Sequence, residues 1–125
     1  MAPSSNTRPI LLIVDGDPEV LRALAFMAET RGYGVIGCAT AAGALADLDG
    51  SVSCLVLDQN LPDVPGVRLL KQIRDAGIRT PALLMATSPS AALQIQAAAA
   101  AAPIVEKPLL DESLFQQIEN LLAGA

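Results

Sequence analysis

The chain has 125 residues, 52% of them hydrophobic, and carries a net charge of −5 with no histidine. That composition fills the core of one ordinary domain, and the missing histidine excludes Ser-His-Asp catalysis, imidazole metal sites and phosphohistidine chemistry of the chain's own. Tyr33, Phe26 and Phe115 are the only aromatics and the eight Lys and Arg are scattered, which argues against nucleic-acid binding by this chain.

Residues 1–8, MAPSSNTR, lack the apolar centre of a signal peptide and read as a disordered start. No apolar run approaches the ~20 residues of a membrane span, so no membrane association is expected and the cytoplasm is the expected location. Ile10 to Val14 reads as a strand that ends on Asp15, Gly16 and Asp17. Pro18 suits a first helical turn, Val20, Leu21, Leu24, Met27 and Ala28 stripe one helical face, Asp17 can cap it and Gly32 can stop it. Tyr33 to Cys38 is the second strand, and Thr40 caps a short helix through Leu48. The third strand, Cys54 to Leu57, runs into Asp58, and Leu69, Leu70 and Ile73 mark a third helix ending near Gly77. Ala82 to Ala86 follows as a strand, the alanine run Ala97 to Ala102 reads as the end of a fourth helix, and Pro103 to Glu106 is the last strand. Asp111 is placed to cap a final helix carrying Leu114, Ile118, Leu121 and Leu122. The domain is expected over 9–122 with 123–125 as a tail, and Cys38 and Cys54, inside apolar runs, read as buried reduced thiols.

Continuous rather than alternating apolar strands predict a parallel sheet covered on both faces. Strand and helix repeated five times then predict a single doubly wound α/β domain with a five-stranded parallel sheet. In such sheets ligands bind beyond the carboxyl ends of the strands, where the strand order reverses. Those ends carry Asp15 and Asp17, Asp58, Thr87 and Ser88, and Glu106 with Lys107. Carboxylates gathered this way repel unless a cation offsets them, and an all-oxygen set suits Mg²⁺.

The segments LIVDGDPEV, LVLDQNLPDVPGVRLLKQIR and PIVEKPL resemble, in order and spacing, the acidic loop, phosphoacceptor region and Lys-Pro turn of response-regulator receiver domains of two-component signalling. The resemblance spans roughly Pro9 to Leu122 and implies the (βα)5, flavodoxin-like receiver topology. It implies Asp58 as phosphoacceptor, Lys107 as the lysine that pairs with the phosphoryl group, a cis peptide before Pro108, and Mg²⁺ held by Asp15, Asp17, Asp58 and the carbonyl of Asn60. The implied partner is a histidine kinase or phosphotransfer protein, with output through another domain or an effector protein. Receivers usually place a second acid where this chain has Gly16, a Thr or Ser where counting from Pro81 finds Ala86, and an aromatic where it has Ile104. Thr87 is the candidate hydroxyl in place of Ala86. The resemblance further implies a homodimer through the fourth helix, fifth strand and fifth helix. From Ser88 to Pro103 the chain has no charge, so such a dimer would rest on small apolar packing.

Two alternatives follow from the same residues. Gly16, Ala86 and Ile104 suit a degenerate receiver that acts as a phosphorylation-independent interaction module. VDGDPEV also resembles the Asp-x-Asp loop of haloacid-dehalogenase-like phosphatases, with Asp15 as nucleophile and Asp17 as acid. Under the receiver reading the chain is not an enzyme beyond its own phosphorylation.

Overall fold

The computed structural model describes residues 8–108 and 112–124. Its elements are β1 (Ile10–Val14), α1 (Pro18–Thr30), β2 (Gly34–Cys38), α2 (Ala41–Asp47), β3 (Cys54–Asp58), α3 (Gly66–Asp75), β4 (Ala82–Ala86), α4 (Ala91–Ala99), β5 (Ile104–Glu106) and α5 (Ser113–Gly124). The strands form one parallel sheet in the order β2-β1-β3-β4-β5. That order reverses between β1 and β3, which opens a crevice at their carboxyl ends.

Alternation along the strands sorts their side chains into two clusters. Leu12, Val14, Leu55, Leu57, Leu84 and Ala86 pack under α2, α3 and α4 through Ala44, Leu69, Leu70, Ile73 and Leu93. Leu11, Ile13, Cys54, Val56, Leu83, Met85 and Val105 pack under α1 and α5 through Leu24, Ala28, Leu114, Phe115 and Ile118. Both faces of β3 are therefore dry, and Cys38 and Cys54 are buried free thiols. Burial pushes the Cys54 thiol up to about 12, so it stays a core group rather than a nucleophile.

Asp17 and Thr40 cap their helices as expected, and Ser90 caps a third. Asp17 Oδ1 accepts from the N–H groups of Glu19 and Val20, Thr40 Oγ1 from Gly43, and Ser90 Oγ from Leu93. Gly32, at φ +92°, follows the last turn of α1. Several boundaries shift by a residue, as at Gly34, Asp47, Asp58 and Ile104, while α4 closes at Ala99, within the alanine run, and α5 continues to Gly124, past Leu122. The cap expected at Asp111 and residues 1–7 of the expected start lie outside the described residues. Long-range clamps join the helices. Arg74 donates to the carbonyls of Ala100, Ile78 and Thr80, tying the ends of α3 and α4 together. Arg31 pairs with Glu112 and lies 4.2 Å over the Phe115 ring, tying α1 to α5.

Gly66 opens α3 directly against β3. A Cβ there would fall inside the contact radius of the Asp58 carbonyl oxygen, which is rigid backbone. Gly66→Ala is therefore expected to destabilise the fold by about 2 kcal/mol or more, measured by urea unfolding. Gly50→Ala, which meets nothing within 4 Å, is expected to stay within about 0.5 kcal/mol of wild type. Equal effects would remove the steric explanation.

Candidate functional site

The two-residue period of the strands decides which polar residues meet. Leu11 and Ile13, Cys54 and Val56, Leu83 and Met85, and Val105 share one face of the sheet. Continuing that alternation past the strand ends puts Asp15, Asp58, Thr87 and Lys107 on the same side. Asp58 is the register partner of Met85. Ala86 instead packs with Leu57 and Leu84 on the other face. Pairing stays regular through Ala86 and Glu106, and the Lys107 N–H continues it by donating to the Ala86 carbonyl at 2.8 Å.

Asp15 is fully buried and Asp58 is 4% exposed. Lys107 Nζ reaches Asp15 Oδ2 at 3.2 Å and Asp58 Oδ1 at 3.4 Å. The other Asp15 oxygen accepts from the Asp17 N–H at 2.9 Å. One ammonium thus serves two carboxylates, and their formal charges leave one negative charge over. Burial pushes the Asp58 carboxyl above the usual carboxylate range, and Asp15 pushes it further, against the pull of Lys107 and of a backbone hydrogen bond from Asn60. Burial pulls the Lys107 ammonium down, but Asp58 and Asp15 together hold it above its ordinary value. Burial is thus the main cause at Asp58, with the second carboxylate adding to it, whereas at Lys107 the two carboxylates outweigh burial.

Of the three carboxylates expected together, Asp15 and Asp58 are buried side by side and Asp17 lines the same cleft. Asp17 is exposed, and its Oδ1 serves the start of α1. Among the described residues no group of three His, Cys, Asp or Glu is placed to hold a metal ion. The residue expected as the acid of a phosphatase, Asp17, thus caps α1 through one carboxylate oxygen. Gly16 faces the β3–α3 loop: a Cβ built on it lies 3.7 Å from the Asn60 carbonyl oxygen and 3.0 Å from Pro62 Cδ. These residues, with Thr87 and Lys107, line a cleft of about 900 Å³. A separate groove of about 570 Å³ between α3 and α4 shares only Gln59 with it and holds none of the buried charges. Ile104 is half-buried and packs toward α4. The Lys107-Pro108 peptide is cis.

Gln59 and Asp63 hold the β3–α3 loop, although nothing in the sequence singled them out. Gln59 Oε1 accepts from the Val67 N–H at 2.8 Å, capping α3 in place of Pro65. Asp63 reaches the first turn of α2. Each cap comes from outside its own helix, so no local capping pattern announces it.

The model of the response regulator receiver domain family matches residues 11–119. The chain belongs to that family. Relatives of this receiver include the transcriptional regulatory protein KdpE of Mycobacterium tuberculosis, 34% identical over 84% of this chain and 47% of KdpE. Another is the transcriptional regulatory protein FixJ of Bradyrhizobium diazoefficiens, 29% identical over 96% of this chain and 60% of FixJ. The receiver thus spans about half the length of the curated relatives it matches. Among solved structures, a CheY-like response regulator receiver domain protein from Methanospirillum hungatei JF-1 aligns with a TM-score of 0.84 at 26% identity, covering 94% of this chain and 95% of that one. The chemotaxis protein CheY4 of Vibrio cholerae shares the fold with a TM-score of 0.85 at 24% identity, over 92% and 99% of the two chains. The family is that of two-component signalling domains, and no helix among the described residues is long and apolar enough to cross a membrane.

The strained charge balance has a measurable signature. Because the folded state raises the Asp58 carboxyl, ionised Asp58 costs stability at neutral pH, and the cost fades as pH falls through the raised value toward the ordinary one. Asp58→Asn is therefore expected to stabilise the receiver at pH 7 by about 0.5–2 kcal/mol, with the gain shrinking as Asp58 protonates in the wild type. Urea unfolding of both proteins across a pH series measures this, and a destabilised variant at pH 7 would mean that the Lys107 pairing outweighs burial and repulsion.

Proposed function

We propose that this receiver accepts a phosphoryl group on Asp58 from a phosphohistidine of a histidine kinase or phosphotransfer protein. The observation that carries the proposal is the buried Asp15–Lys107–Asp58 arrangement opening onto the cleft. A carboxylate oxygen of Asp58 attacks phosphorus in line, the bond from phosphorus to the donor's imidazole nitrogen breaks, and its electron pair stays on that nitrogen. The product is an acyl phosphate on Asp58. Lys107 then shifts from the Asp58 oxygen to the oxygens of the arriving group, a move its position between the two carboxylates supports. Thr87, on Asp58's side of the sheet, supplies the responding hydroxyl.

The donor set suits Mg²⁺. Asp15, Asp58 and the Asn60 carbonyl would hold it, since Mg²⁺ takes one or two protein carboxylates and keeps its waters. Their surplus negative charge is the kind that a divalent cation offsets. Bound there, Mg²⁺ would supply neutralisation of charge on the phosphoryl oxygens.

Gly16 favours a second reading, a receiver that signals through protein contacts without phosphorylation, because the position facing the Asn60 carbonyl carries no carboxylate. In either case the relatives' description as transcriptional regulatory proteins, and the half of their length this chain spans, support output through a further region or a bound effector.

Incubation with acetyl phosphate and Mg²⁺, followed by intact mass, separates the readings. Phosphoryl acceptance predicts an adduct that is lost in Asp58→Asn. No adduct at any Mg²⁺ concentration supports the interaction module, and an adduct that survives Asp58→Asn but not Asp15→Asn overturns both. Gly16→Asp adds a carboxylate beside the Asn60 carbonyl while the Pro62 ring gives by a few tenths of an ångström. It is expected to tighten Mg²⁺ binding roughly tenfold, about 1.4 kcal/mol, by calorimetric titration, and unchanged affinity would show that another group already fills that position.

A further inference from the structure

Asp63 lies in the β3–α3 loop, five residues beyond Asp58, and makes contacts that its own loop does not explain. Its Oδ1 accepts from the Ala41 N–H at 3.0 Å and its Oδ2 from the Ala42 N–H at 3.0 Å. Oδ1 also accepts from the Val64 N–H at 3.1 Å. These bonds complete the start of α2. Gly43 donates to Thr40 Oγ1 at 2.9 Å and Ala44 to the Thr40 carbonyl at 3.1 Å, so every N–H of the first turn has an acceptor, and two of the four acceptors come from Asp63. The N–H groups of Ala41 and Ala42 hold the Asp63 carboxyl below the usual carboxylate range.

The other end of the loop is fixed as well. Gln59 caps α3 through Val67, the Gln59 carbonyl accepts from the Gly66 N–H at 3.0 Å, and Asn60 gives a backbone hydrogen bond to Asp58. Between Gln59 and Asp63 lie Asn60, Leu61 and Pro62, which form one wall of the cleft. A built Gly16 Cβ meets Pro62, the Ala39 carbonyl and the Asn60 carbonyl together, so three loops converge at that point. Asp63 joins two of them.

We propose that Asp63 is a positioning residue for the site, pinning the β3–α3 loop to the first turn of α2 so that the Asn60 carbonyl keeps its place facing Gly16 and the Asn60 N–H its hydrogen bond to Asp58. This rests on the metal-assisted phosphoryl acceptance proposed above only for its functional consequence, since the pinning itself is a property of the loop. A residue that merely stabilised α2 would be equivalent to Thr40, the residue just before the helix, whose side chain caps it locally through the Gly43 N–H.

The test compares Asp63→Ala, Asp63→Asn and Thr40→Val, with Mg²⁺ affinity by calorimetry and amide hydrogen exchange by NMR. Asp63→Ala is expected to weaken Mg²⁺ roughly 10- to 100-fold, the usual range for groups that orient a metal ligand, and to speed exchange at Asn60 and Leu61. Asp63→Asn keeps one acceptor oxygen and should fall between, which also covers failure of the alanine variant to fold. Thr40→Val should speed exchange within α2 while leaving Asn60 exchange and Mg²⁺ affinity as in wild type. The proposal is overturned if Thr40→Val moves Asn60 as much as Asp63→Ala does, or if the Asp63 variants alter α2 alone. A wild type that binds no Mg²⁺ would defeat the metal-assisted function, and the Asn60 exchange rates would still decide the positioning role.

Discussion

A single ammonium shared by two buried carboxylates is the constraint on which the site depends. Asp15 comes from the end of β1, Asp58 from the end of β3 and Lys107 from the end of β5, so the arrangement exists only when three strands far apart in sequence lie in one parallel sheet. Register matters as much as order. A slip of one residue in any of these strands would turn its polar end residue toward the opposite helical layer and strand it there without a partner. The apolar alternation behind each of them holds the register, since Ile13, Val56 and Val105 are buried on one face and Val14 and Leu57 on the other.

Most of this architecture could be read before any coordinates. Five continuous apolar runs pointed to a doubly covered parallel sheet, and the ends of those runs held Asp15, Asp58 and Lys107 among Asp17, Thr87, Ser88 and Glu106. Counting along one strand was less reliable. Ala86 stands five residues after Pro81 and invites comparison with a hydroxyl residue, but only the pairing of Asp58 with Met85 reveals that Ala86 faces α4 and Thr87 shares the acidic side. Register between strands is a tertiary property, which a count within one strand cannot supply. The caps given by Gln59 and Asp63 and the clamp made by Arg74 were invisible for a related reason. Ser, Thr and Asp beside their own helix leave a local pattern, as Thr40 and Asp17 did, whereas a side chain that reaches another element leaves none.

The β3–α3 loop shows how little freedom Asp58 has. Gly66 brings α3 so close that its own missing side chain is the condition for contact with the Asp58 backbone. Gln59 then caps that helix and Asp63 caps its neighbour. Asp58 therefore sits on a rigid strand end between two anchored helices, and the groups free to respond to chemistry are the side chains facing the cleft. Preorganisation of this kind removes the cost of ordering the loop when a charged group arrives.

Gly16 changes the balance within that rigid frame. With two carboxylates and one ammonium the site carries one surplus negative charge, and a third carboxylate at position 16 would have made it two. The smaller surplus lets Lys107 serve the site in part by itself: one Asp15 oxygen is bonded to the lysine and the other to the Asp17 N–H, and no buried side-chain nitrogen or oxygen among the described residues lacks a partner. A cation entering here must compete with the lysine for the same oxygens, and with one carboxylate fewer it has less to gain. The glycine thus moves the equilibrium toward the lysine-paired state, and the two functional readings are opposite ends of that one equilibrium. Which end prevails is set by how far a cation or an arriving phosphoryl group can draw Lys107 away from Asp58, a contest decided at one ammonium rather than by the fold.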